Sequence, residues 1–199
     1  MRIAFKREEI IDLFKAWLAI SLAFGILYTS ALAASFGQIS GFFIAFSISL
    51  VTAGLGFIVH ELAHKFVATK HYCIAEFKSN DIMLLLAVVM SFAGFIFAAP
   101  GYVLIKGGVN LKQNGEISFA GPASNFVLAL LFLPGFVLSS NLLQFFFFLG
   151  FFINSWLGLF NMIPFAPFDG VKILKWNKFA YFALVAGLLS MVLFGLGVF

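Results

Sequence analysis

Charge is what this sequence has least of. Only 10% of its 199 residues are Asp, Glu, Lys or Arg, against roughly 25% in an average soluble chain. With 63% hydrophobic residues and a mean hydropathy of +1.10, it is excluded from the soluble globules, and its surface must face lipid. The lone cysteine, Cys73, excludes an internal disulfide and a cysteine-rich metal site. It reads as a small apolar filler. No repeat, soluble domain or disordered linker is visible, so residues 1–199 read as one integral-membrane domain. The basic opening, residues 1–7, precedes an apolar run without a clear signal-peptidase site and reads as a retained anchor. Net charge is +4, which in such a chain reports orientation rather than an anionic partner. Nothing calls for nucleic acid.

What is present is a series of long apolar runs. About 20 apolar residues span a bilayer core as a helix. Candidate spans are residues 10–36, 41–69, 119–140 (interrupted by Pro134-Gly135), 145–163 and 180–199. Residues 82–98 form a run at the short edge of spanning length, so the expectation is an all-α polytopic membrane protein with about five to six transmembrane helices. Residues 70–81 read as a polar patch, 106–116 as a loop with Gly107-Gly108 and Asn114-Gly115 as turn signals, and 172–178 as a basic connector. Between them, Pro100, Gly101, Tyr102 and Val103 open a short strand-like piece ending at residue 105, or else a simple connector. The uncharged turns, near Gln38 and at residues 141–144, contain no Lys or Arg. If both are external, all twelve Lys and Arg can lie on the cytoplasmic side, as the positive-inside rule requires.

Chemistry concentrates in His60-Glu61-Leu62-Ala63-His64, at the end of an uncharged stretch from Gly41 to Val59. Histidines four apart share one helix face, about 5–6 Å apart at Cβ, and can bind one ion. The intervening glutamate is placed to take a proton from a metal-bound water. An ionisable group at the centre of a membrane helix costs at least about 2.5–3.5 kcal/mol, so three in five residues point to metal and water chemistry within a bilayer. Packing of polar side chains against other helices is the competing explanation. Catalytic zinc takes three protein ligands. Asp169 is the candidate third, after the helix-breaking Pro164 and Pro167; the alternative is an ordinary helix exit with a solvated aspartate. His71 reads as a surface histidine.

Three motifs occur in order: His60-Glu61-x-x-His64, Gly121-Pro122-x-x-Asn125, and Asn161-x-x-Pro164-x-x-Pro167-x-Asp169-Gly170. Together they cover about residues 50–175 and resemble the site-2 proteases, intramembrane zinc metalloproteases, in a minimal form without PDZ or nucleotide-sensing CBS domains. The resemblance implies one zinc held by His60, His64 and Asp169, Glu61 as general base, and cleavage within or beside a transmembrane helix of a membrane-protein substrate. It also implies that Asn161 steadies the substrate carbonyl or oxyanion, and that Asn125 contacts substrate or makes an interhelical hydrogen bond. An unwound substrate would need a strand partner, and residues 100–105 are the candidate. A metal-ion transporter using the same side chains is the competing class, disfavoured by the lack of a second copy of the pentad. A catalytically dead scaffold is disfavoured because base and ligands are all present. The expected location is the cell membrane, with the site near the cytoplasmic face; the oligomeric state is left open. For His64 and Asp169 to share an ion, an odd number of crossings must separate their helices. Residues 82–105 must then dip in and return, or recross in extended form, and the first is preferred.

Overall fold

A computed structural model describes residues 4–96 and 100–198. The first three residues of the basic opening, Phe97, Ala98 and Ala99 at the junction of the 82–98 run and the following turn, and Phe199 at the end of the last span lie outside the described residues. The chain runs α1 (Arg7–Phe36), α2 (Gln38–Ser49), a π-helical turn (Leu50–Gly54), α3 (Leu55–Lys70), β1 (Ile74–Ser79), α4 (Asp81–Ser91), β2 (Gly101–Lys106), α5 (Leu111–Leu138), α6 (Asn141–Asn161), α7 (Gly170–Trp176) and α8 (Lys178–Val198). Among the described residues, five helical stretches are long and apolar enough to cross a membrane: α1, the continuous Gln38–Lys70, α5, α6 and α8. They are compatible with an integral membrane protein.

Local chemistry explains the boundaries. Glu8 and Glu9 sit in the first turn of α1, where the helix dipole favours anions. Gly37 ends that helix with φ +80°, a left-handed position that lets α2 fold straight back. In the π turn, which leaves the regular ladder, the Trp17 indole donates to the Leu50 carbonyl at 2.9 Å.

Four expectations need correction. Residues 106–116 are not all loop, because α5 starts at Leu111 behind a capping box of Asn110 and Gln113. Asn114-Gly115 is therefore helical; the glycine is there because a Cβ would collide with the Trp176 ring of α7. Pro134 does not interrupt α5, which continues to Leu138. The basic connector is likewise a helix, α7. The fourth difference is the polar patch, which contains β1.

β1 and β2 form an antiparallel pair, in register from Ile74↔Lys106 to Ser79↔Gly101. Helix α4 between them has 11 residues, about 16 Å of rise and far short of a roughly 30 Å hydrocarbon core. The chain thus goes out through α4 and returns beside its starting point, as the dip-and-return expectation requires.

Backbone alternation decides what each strand edge offers. Asn80 N–H donates to Pro100 O at 2.9 Å, in the same register. Even-numbered residues of β2 therefore turn their N–H and C=O toward β1, while Gly101, Val103 and Ile105 turn theirs to the opposite edge. On the outer edge of β1, Phe77 N–H is taken by Glu9 Oε1 at 3.0 Å and Ser79 N–H by Asp12 Oδ2 at 3.4 Å. The sheet is pinned to α1 on one side and, among the described residues, open on the other.

Glu9 and Lys65 anchor this arrangement. Both are buried, and Lys65 Nζ lies 2.6 Å from each Glu9 oxygen. Lys65 also donates to Ala4 O at 2.8 Å and sits 4.1 Å above the Phe5 ring. It is thus a structural tie rather than a lysine in solvent. Outside the helices, Lys6 and Lys78 donate to Glu76 and hold its carboxyl down to about 2. Lys65→Met is expected to destabilise the chain by about 3–5 kcal/mol, because it leaves the Glu9 charge buried and alone. The double variant Glu9→Gln/Lys65→Met should recover most of that loss. Unfolding curves in detergent check this, and equal stabilities for single variant and wild type would refute the tie.

Candidate metal centre

The i, i+4 spacing on α3 turns His60 and His64 to one side of the helix, with Glu61 beside them, and all three are buried. Helix α6 ends at Asn161, and the proline-containing stretch after it brings Asp169 back against α3. His60 Nε2 and His64 Nε2 are 3.0 Å apart. Asp169 Oδ2 lies 3.0 Å from His64 Nε2 and 3.5 Å from His60 Nε2. A tetrahedral zinc with bonds of about 2.0–2.1 Å separates its ligand atoms by about 3.3–3.4 Å, so this spacing fits a single ion. Among the described residues this is the His, Asp, Glu and Cys group close enough to hold a metal.

The other ring nitrogens support the same reading. His60 Nδ1 is 2.6 Å from Asn125 Oδ1, and His64 Nδ1 is 2.7 Å from the Ile117 carbonyl. Both oxygens are acceptors, so each Nδ1 carries the hydrogen and each Nε2 lone pair is left for the ion.

Helix α5 can come this close because of Gly121: a Cβ there would run into the Nε2 atoms of both histidines. Any side chain at 121 would fill the space in front of the two Nε2 atoms. Pro122 follows and contributes no N–H to the ladder.

The centre opens on a cavity of about 780 Å³ lined mainly by apolar side chains of α1, α3 and α6 and by β2. Glu61, Asn161, Pro100, Gly101, Tyr102 and Val103 all line it. Asn161 Nδ2 donates to Leu157 O at 2.9 Å, which fixes the plane of its amide at the cavity wall. Asn125 is fully buried and its amide is committed to protein groups: Oδ1 to His60, Nδ2 to Gly56 O at 3.2 Å and to Asn154 Oδ1 at 2.9 Å. His71 stands apart, 2.8 Å from Glu116, in a partly exposed pair.

Sequence reasoning missed Asn154 and the Ile117 carbonyl, and it had Gly121 as a motif residue without the steric reason for it. A signal existed for the first: Asn154-Ser155 is a polar break in the apolar run of α6, and polar residues at such depth are costly unless used. The carbonyl had none, since it matters only through a helix packed against it.

A protein of Methanocaldococcus jannaschii named "Putative zinc metalloprotease" is 39% identical over 186 residues, covering 89% of this chain and 88% of the relative. No protein-family model matches the chain. No solved structure matches it.

Proposed function

Since the chain belongs to the same zinc metalloprotease family as the M. jannaschii protein, we propose that it is an intramembrane protease of the site-2 type. In this reading it hydrolyses a peptide bond within or next to a transmembrane segment of a membrane-protein substrate. The observation that carries the reading is the meeting of His60, His64, Asp169 and Glu61 at an apolar cavity whose wall includes the open edge of β2. One zinc per chain, held by His60, His64 and Asp169, supplies a Lewis acid for the scissile carbonyl and lowers the pKa of water.

The chain's own groups do the rest. Glu61 takes a proton from the attacking water and delivers it to the leaving amine, so water is added across the bond and Glu61 ends unchanged. A helical substrate hides its carbonyls in its own ladder and has to unwind before it can be cut. Gly101, Val103 and Ile105 then offer N–H and C=O groups to the extended segment, as in strand addition. Asn161 holds one N–H toward the substrate oxygen, and Asn125 supports His60. Placing all twelve Lys and Arg on one side puts the centre near the cytoplasmic face of the cell membrane.

Purified chain incubated with membrane-protein substrates should release products cut in or beside a transmembrane segment, and a chelator should stop the cleavage until zinc is restored. Absence of such products from every transmembrane substrate tried, with soluble peptides cut instead, would defeat the reading. Val103→Pro removes one donor from the open edge, worth about 0.5–1.5 kcal/mol. It should slow cleavage about 2- to 12-fold with zinc content unchanged. Tyr102→Pro removes a rung shared with β1 and should weaken the fold instead. Normal turnover in a folded Val103→Pro variant would leave the strand without a substrate role.

A further inference from the structure

Asn154 lies within α6, fully buried, and is neither among the residues lining the cavity nor one of the three metal-ligand residues. Its Nδ2 donates to the Gly150 carbonyl of its own helix at 2.8 Å. A carbonyl can only accept, so this bond fixes which end of the amide is nitrogen. Asn154 Oδ1 therefore faces α5, where it accepts from Asn125 Nδ2 at 2.9 Å. The other hydrogen of that Nδ2 goes to the Gly56 carbonyl of α3 at 3.2 Å. With both hydrogens committed, Asn125 has its Oδ1 turned to His60 Nδ1 at 2.6 Å. Each orientation is forced by the one before it, from a backbone carbonyl of α6 to the imidazole on α3. Gly56 belongs to the same construction, because a Cβ there would strike Asn154 Oδ1.

We propose that Asn154 is a positioning residue that fixes the tautomer of His60 through Asn125. The proposal rests on the zinc-centre reading above. Without Asn154, the Asn125 amide loses one of the two acceptors that orient it and can turn its NH2 toward His60. The Nδ1 of His60 then becomes an acceptor, the hydrogen moves to Nε2, and that nitrogen can no longer bind an ion.

The test uses the full chain in detergent and needs no substrate. Zinc affinity is measured by chelator competition, and the His60 tautomer by ¹⁵N NMR of the metal-free protein. Asn154→Leu should lower affinity about 10- to 100-fold, the range for loss of a group supporting a ligand, and shift His60 toward the Nε2–H form. In an Asn125→Asp background, the carboxylate accepts from His60 Nδ1 whichever way it turns. There, adding Asn154→Leu should change affinity by no more than about 2-fold. If the leucine variant does not fold, Asn154→Ala removes the same acceptor with less bulk. Wild-type affinity and an unshifted His60 spectrum in the folded variant would overturn the proposal alone, as would an equal loss in both backgrounds. Absence of zinc binding in the wild-type chain would overturn the zinc-centre reading and this inference with it.

Discussion

Glu61→Gln is expected to lower the rate of peptide cleavage by about 10²- to 10⁴-fold, the usual share of a positioned general acid–base, while zinc binding stays within about 2-fold of wild type. The substitution preserves shape and removes only the group that accepts the proton. Glu61 lines the cavity beside His60 and His64, yet it is not among the three side chains whose ligand atoms converge. Loss of turnover and retention of metal should therefore separate cleanly. Single-turnover cleavage and elemental analysis of the same preparation give both numbers. A variant that cuts at the wild-type rate would remove Glu61 from the mechanism. One that cuts nothing in either form but moves zinc across vesicle membranes would favour an ion carrier.

Asp169→Asn should have the second large effect, a fall in zinc affinity exceeding the 10- to 100-fold typical of changes one shell further out. The amide keeps the size of the carboxylate and loses its charge. Asp169 is the anionic member of the set, and it arrives from a different part of the chain than the two histidines. Those stay together by helix geometry alone, so a weak two-histidine site should persist in Asp169→Asn. His60→Ala and His64→Ala should each leave Asp169 with one remaining histidine. Chelator competition ranks the three variants. Stoichiometric, tightly held zinc in Asp169→Asn would remove it from the ligand set.

Much of the site was legible because its signals are local. The i, i+4 histidines declare a shared helix face in any helical context, and an uncharged approach to them declares the solvent. Pro164, Pro167 and Gly170 declare that the chain leaves the helix where Asp169 stands. Failures came where a local signal had a distant cause. Asn114-Gly115 has turn chemistry, but the glycine serves the approach of Trp176 and the helix runs through it. Residues 74–79 carry a buried Glu76 and a buried Phe77 side by side. They lack the clean alternation of a strand, and so passed for polar surface.

By itself the sequence determined five apolar spans, a helix face carrying two histidines and a glutamate, and, through the crossing count, that residues 82–105 return to their starting side if Asp169 is to share the ion. These follow from hydropathy and helix period, which act between near neighbours in the chain. The tertiary structure alone decided that β1 closes on β2 and leaves the Gly101, Val103 and Ile105 backbone open, that Glu9 receives Lys65, and that Asn125, 65 residues from His60, holds its ring. Each depends on which helix packs against which, and small residues such as Gly56 and Gly121 decide how closely. Buried polar groups need partners wherever packing supplies them, and no local pattern in the chain encodes that choice.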